Sequence, residues 1–330
     1  MIRSFVIFSI FSLIVLTLVQ AEDAVPIHLA LSIPLPGVEG RIDHLAFDPS
    51  QQRLFIAALG NDTLEVADLK TKTVRSLKGF SEPQGVVFIP ELKQVFVTNG
   101  GDGSGMFLNA TSLEVVRRVN VGSDADNVCL DALGKRLFVG YSSNLAVLDF
   151  QGARVLDIKL AAHPEGLELE HAKNGAVSRV FVNVPGAGHV AVVDLEKRAV
   201  VATWGLPAAS NFPMALDEPH HRLLVATRSS ARLVVLETNT GKVMANLETV
   251  GDPDDVFVAA TGRRVFVSGG AGEVRVLERH EPNQYVETAR VPTAAGARTS
   301  LLEATGKRLF VAAPHRGNQT AEIQVFEITP

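Results

Sequence analysis

Cysteine is almost absent: Cys129 is the only one in 330 residues. No intramolecular disulfide can form, so the chain is not a small fold stapled by cross-links. Cys129 falls in an apolar, strand-like run, where a free thiol behaves as a small hydrophobe. No HExxH zinc motif, CxxCH haem-attachment motif, P-loop or GxSxG elbow occurs. "GAGHVA" at Gly186 resembles a dinucleotide fingerprint, but another strand-like run follows it, so no helix N-terminus is available for a pyrophosphate. An excess of basic charge is missing too. The net charge of −5 gives no support for a nucleic-acid partner or for an anionic membrane surface.

Long apolar runs are confined to one place, Phe5 to Val19. That is shorter than the roughly 20 residues a membrane-spanning helix needs. Arg3 precedes the run, and Val19-Gln20-Ala21 follows with small residues where a signal peptidase reads them. A secretory signal peptide over residues 1–21 is therefore expected, leaving residues 22–330 as one domain, periplasmic or secreted, with no membrane span after cleavage.

What the chain does have is a repeat. A polar residue followed by an apolar β run recurs as "RLFIAAL" at Arg53, "QVFVTNG" at Gln94, "RLFVGYS" at Arg136 and "RVFVNVP" at Arg179. It continues as "RLLVATR" at Arg222, "RVFVSGG" at Arg264 and "RLFVAAP" at Arg308, with successive spacings of 41, 42, 43, 43, 42 and 44 residues. Each copy has an apolar run before it, a second after it and a more polar run beyond. Four short strands in a unit of this length make one propeller blade. The fold expected is all-β: a seven-bladed β-propeller with four antiparallel strands per blade. The seventh copy lacks a fourth strand, and "PIHLALSIPL" near the N-terminus can supply it, closing the ring and removing an open edge.

The phrase "VFVTN" at Val95 to Asn99 matches the signature of YVTN repeats. With the apolar leader, the chain resembles the exported YVTN-repeat (YncE-like) β-propellers over all seven units. The resemblance implies a fold and an exported location; it does not imply a reaction.

Candidate function comes from comparing the blades with one another. The turn that opens each innermost strand rings the mouth of the central channel. These turns read "RIDH", "EPQG", "DADN", "HPEG", "NFPM", "DPDD" and "GART". Asp43, Gln84, Asp126, Glu165, Asp254 and Arg298 take equivalent places, with Phe212 or Pro213 in the fifth. Arg41, His44, His163 and Asp255 stand beside them. The turns between second and third strands open on the same face and add Asn99, Asp102, Asn183, Arg228, His315 and Arg316.

Convergent carboxylates at such a mouth suit a cation, an amine or a hydroxyl-rich ligand. The first expectation is a monomeric binding module that holds a small molecule or an exported protein partner there. On this reading Arg41, Gln84, Asn99, Asp102, Asp126, His163, Phe212, Asp255, Arg228, His315 and Arg316 contact the ligand. The alternative is a lactonase-like ester hydrolase. There a divalent cation such as Ca2+ would sit on Glu165, Asp254, Asn127 and Asn183, Asp43 or His44 would activate water, and Arg298 would stabilise the oxyanion. Asp43 and His44 are neighbours on an extended segment, so they should point apart rather than share a hydrogen bond.

Overall fold

The computed structural model describes residues 27–281 and 283–329. The signal-peptide segment lies outside the described residues. Seven four-stranded antiparallel sheets follow one another around a ring. Blade 1 begins with the inner strand Leu45–Asp48, blade 2 with Pro83–Ile89, blade 3 with Ala125–Asp131 and blade 4 with Leu167–His171. Blade 5 begins with Ala209–Asp217, blade 6 with Pro253–Val258 and blade 7 with Ser300–Leu302. The strand Ile27–Pro34 pairs antiparallel with Glu322–Ile328 and completes blade 7, so the ring is closed as the repeat count requires. Among the described residues no helix is long and apolar enough to cross a membrane.

The repeated phrase is the second strand of every blade, and its side chains explain its composition. Phe55, Phe96, Phe138, Phe181, Phe266 and Phe310 are buried between neighbouring sheets. Each such ring contributes on the order of 1.5–3 kcal/mol by leaving water. The preceding arginine lies two residues earlier and therefore on the same face of the strand. Arg136 stands 5.4 Å from the ring centroid of Phe138, Arg179 5.3 Å from Phe181 and Arg308 5.4 Å from Phe310. The same guanidiniums reach back across the first turn of the blade to an acid: Arg136 to Asp131 at 2.7 Å and Arg308 to Glu303 at 2.7 Å. The basic residue of the phrase thus belongs to the face opposite the mouth, where it fastens the first hairpin.

At the mouth end the inner strands are interrupted. Pairing register shifts between Pro83 and Val86, Ala125 and Val128, Asn211 and Met214, and Pro253 and Asp255. Irregularities of this kind leave backbone groups outside the ladder and re-aim side chains. Polar residues near the end of the second strand take up those groups and bind blade to blade. Thr98 accepts from Gly85 N at 2.7 Å and donates to the Asp126 carbonyl at 2.5 Å, joining blades 2 and 3. Asn183 donates to the carbonyls of Phe212 and Pro213 at 2.9 and 3.1 Å, joining blades 4 and 5. The hydroxyls of Ser268 and Ser300 meet at 2.7 Å between blades 6 and 7. This close approach also explains two glycines. A Cβ on Gly85 would lie 2.4 Å from the Asp126 carbonyl oxygen, and one on Gly166 2.6 Å from that of Phe212.

Candidate functional site

The interrupted inner strands enclose a channel cavity of about 820 Å³. Its mouth is lined by Arg41, Asp43, His44, Gln84, Asp126 and Glu165, together with their neighbours in the ring. Farther in, its walls are Leu45, Phe47, Val86, Phe88, Leu130 and Leu216. The backbone sets the turns: Glu82, Asp124, Ser210 and Asp252, each two residues before a mouth position, all have positive φ. Asp tolerates that conformation better than most residues with a Cβ. Two of the "GDPDD" aspartates can therefore be assigned separate structural tasks: Asp252 makes the bend, and Asp254 faces the channel.

Around the mouth the charges fall into three arcs. In blade 1, Arg41 Nη2 donates to Asp43 Oδ2 at 2.6 Å, and His44 Nε2 lies 3.7 Å from Asp43 Oδ1, too far for a hydrogen bond. Asp43 and His44 are adjacent but not hydrogen-bonded, as their alternation along the chain predicts. Burial pushes the Asp43 carboxyl above its usual range despite the opposing pull of His44 and Arg41. Asp255, from blade 6, accepts from Ser300 N at 2.6 Å, and burial raises its carboxyl to about 8.

The second arc joins blades 3 and 4. Asp126, His163 and Glu165 each offer a ligating atom within 4.8 Å of the others. His163 Nδ1 lies 2.9 Å from the Ser142 carbonyl, which only accepts, so this nitrogen carries a proton. Nε2 then faces Asp126 Oδ2 at 3.3 Å. Burial opposes a charge on His163, but the hydrogen bond to Asp126 and the charges of Asp124 and Asp126 outweigh it and raise the imidazole to about 9. Glu165 has no side-chain hydrogen bond or ion pair among the described residues. Burial, reinforced by the charge of Asp126, raises it to about 8.

The third arc is saturated. Arg228 pairs with Asp254 and lies 3.2 Å from Asp252, and Arg298 Nε lies 2.8 Å from Asp254. Phe212 stands beside it as the apolar wall, under the Arg228 guanidinium.

The structure therefore brings together Arg41, Asp43, His44, Gln84, Asp126, Asn127, His163, Glu165, Phe212, Arg228, Asp254 and Asp255 on one cavity. The metal-ligand set expected from sequence does not assemble as a set. Asn183 is fully buried and its amide is committed to the blade 5 backbone and, through its oxygen, to Asn211 at 2.8 Å. Asp254 is held between two arginines. The partners of Glu165 are Asp126 and His163 instead. Arg298 does not line the channel; it faces a neighbouring cleft with His315 and Arg316.

Asn99 and Asp102 also lie off the channel. Asn99 is buried and accepts from Ser81 N at 3.2 Å, while Asp102 accepts from Ser104 N at 2.9 Å and pairs with Arg118 at 3.1 Å. Both shape their own hairpin. One channel residue escaped the sequence reading. Glu168, on the inner strand of blade 4, lines the channel below Glu165, and burial raises it to about 8. The signal was the alternation in "EGLELE", which puts a second acid where other blades carry an apolar residue.

No protein-family model matches the chain. It is 20% identical over 225 residues to the uncharacterized YncE proteins of Salmonella typhimurium and Salmonella typhi. The match covers 67% of this chain and 62% of theirs. The chain is similar to the YncE propellers. This agrees with the resemblance carried by its YVTN-type repeats and with its seven blades. Among solved structures, a Kuenenia stuttgartiensis hydrazine synthase chain superposes with a TM-score of 0.72 at 17% identity, covering 88% of this chain and 97% of that one. A chain of a mitotic checkpoint complex superposes with a TM-score of 0.79 at 11% identity, covering 99% of both. At such identities the structural likeness establishes the fold alone.

Proposed function

We propose that the chain is an exported recognition propeller whose channel mouth receives the positively charged group of a small ligand. The observation that carries this reading is Glu165: a largely buried carboxyl, open to the cavity, with no side-chain hydrogen bond or ion pair among the described residues, and facing the acid of Asp126, to which the neighbouring His163 is already bonded. A cation entering there replaces the proton that Glu165 otherwise retains and satisfies both acids. Asp43 and Asp255 extend the acidic surface, and Phe212 supplies an apolar wall for an organic body.

A second reading is favoured by the Asp126–His163–Glu165 trio. These residue types suit a divalent cation, and the Nδ1 contact with the Ser142 carbonyl would hold the ring with Nε2 toward the ion. Such an ion would polarise an ester or lactone carbonyl. On this chain the ligands would be those three, with Asp43 and His44 as neighbouring groups able to take a proton.

Thermal unfolding of chelator-treated protein, titrated with Ca2+, Mg2+, Mn2+, Zn2+ or methylammonium, tests both readings. A midpoint that rises with one cation and stays flat in Glu165→Gln supports a cation at the mouth, because a ligand bound only by the folded state adds stability. Metal-dependent cleavage of simple lactones or esters, lost in Asp126→Asn, would select the hydrolase. No response to any of the cations sinks the proposal. Export is part of the same reading; recovery from the source cells of a chain beginning at Glu22 supports it.

A further inference from the structure

Beside the mouth lies a second cavity, of about 260 Å³, between blades 7 and 1. Its charged lining is entirely basic: Arg41, Arg298, His315 and Arg316, with Gly296 and Pro314 among the remaining walls. Arg41 lines both cavities. Guanidiniums gathered around a small cleft repel one another unless something negative lies between them. Arg41 gives Nη2 to Asp43, and Arg298 gives Nε and Nη1 to Asp254 and Asp252, which leaves part of each fork uncommitted. Arg316 has no ion pair or side-chain hydrogen bond among the described residues.

The Arg316 side chain is nevertheless placed. Its backbone pairs with Gln319 in both directions, at 3.0 and 2.9 Å. Gln319 Nε2 donates to the carbonyls of Pro314 at 2.6 Å and Ala295 at 3.1 Å, fastening the hairpin tip to the neighbouring turn. Gly296, at φ +81°, leaves room for the guanidinium to lie against its backbone; a Cβ there would come within 2.4 Å of Arg316 Nε. A shaped hairpin thus brings an unpaired guanidinium over a cleft already walled by two others.

We infer that this cleft binds an oxyanion, a carboxylate or a phosphate, carried by the same small ligand whose cationic group enters the mouth. The oxyanion site stands on the cleft's own geometry; its linkage to one ligand rests on the mouth reading. Planar forks present paired N–H groups that match both anions, and Arg41 is the shared wall that sets the two charged groups of the ligand side by side.

Isothermal titration of the full chain with inorganic phosphate and, separately, with acetate tests the inference, with sodium chloride holding ionic strength constant. The expected result is saturable binding of one anion, weakened roughly tenfold or more in Arg316→Gln and weakened less in Arg316→Lys. Phosphate binding alone assigns the ligand a phosphate group, and acetate binding alone assigns it a carboxylate. Binding of neither anion, or binding indifferent to Arg316→Gln, overturns the oxyanion site. If the anion binds and no cation stabilises the protein, the cleft stands and its linkage to a cationic mouth ligand falls. Arg316 is exposed on a hairpin, so its variants should leave the fold intact, which circular dichroism checks.

Discussion

Arg228 lays its guanidinium over the ring of Phe212, 3.6 Å from the centroid, while also holding Asp254. The apolar wall and the saturated arc of the mouth are therefore one unit. Phe212→Leu keeps apolar bulk but removes the ring face, and should lower unfolding free energy by about 1 kcal/mol. Urea melts of Phe212→Leu, Arg228→Ala and the double variant check this. The loss should shrink in the Arg228→Ala background if the two side chains act together.

Asp254→Asn removes the anion that Arg228 and Arg298 share. It should cost on the order of 1–2 kcal/mol, less than a fully orphaned buried pair would, because the two partly buried guanidiniums keep only Asp252 as an anionic partner. A cation response at Glu165 should survive the substitution. Loss of both together would mean that Asp254 is a ligand after all.

Asn183→Ala should be a stability variant with an intact mouth. It strips hydrogen bonds from the carbonyls of Phe212 and Pro213 at the junction of blades 4 and 5. A deficit of roughly 2 kcal/mol is expected from leaving such groups unsatisfied, read from denaturant melts, with cation binding unchanged.

Stability should decline as pH rises from about 4.5 to 8. Glu168 has an ordinary pKa of 4.5 and stands at about 8 in the fold, because burial disfavours its charge. The folded state holds this proton more tightly than the unfolded chain. The resulting stabilisation is complete below the unfolded value and disappears as pH passes the folded value. Asp255, also raised to about 8, acts with the same sign. Melting midpoints measured across pH 5 to 9 should fall, and Glu168→Gln should flatten the profile. A profile with no dependence on Glu168 would show that this carboxyl is not held neutral.

The seven blades were legible because six carry the same arginine and six the same buried phenylalanine, with Gln94 and Leu224 as the exceptions, at nearly the same spacing, all local features of one hairpin. The mouth positions Asp43, Gln84, Asp126, Glu165 and Asp254 were legible for a related reason: equivalent turns occupy equivalent places in a ring. Which of them meet was not legible. Asp126 and His163 come from adjacent blades, and their contact depends on how the interrupted strand of blade 3 aims its side chain. Asn99 and Asn183 look like exposed hairpin polar groups in sequence. Their amides are consumed inside the protein, where turns and broken ladders leave backbone groups that need partners. Arg298 aligns with the mouth residues in sequence, yet the arginine side chain extends past the rim to Asp252 and Asp254.

The strand Ile27–Pro34 has its ladder partner almost three hundred residues away, in Glu322–Ile328. Six blades are assembled from contiguous stretches and can form as local hairpins, whereas the seventh waits for a contact spanning nearly the whole polypeptide. Loop closure over that separation is slow relative to hairpin formation. The ring cannot close until the first strand docks onto the last. Until it happens, blade 7 presents a bare edge, and the channel lacks the completed ring that holds its charged side chains in register.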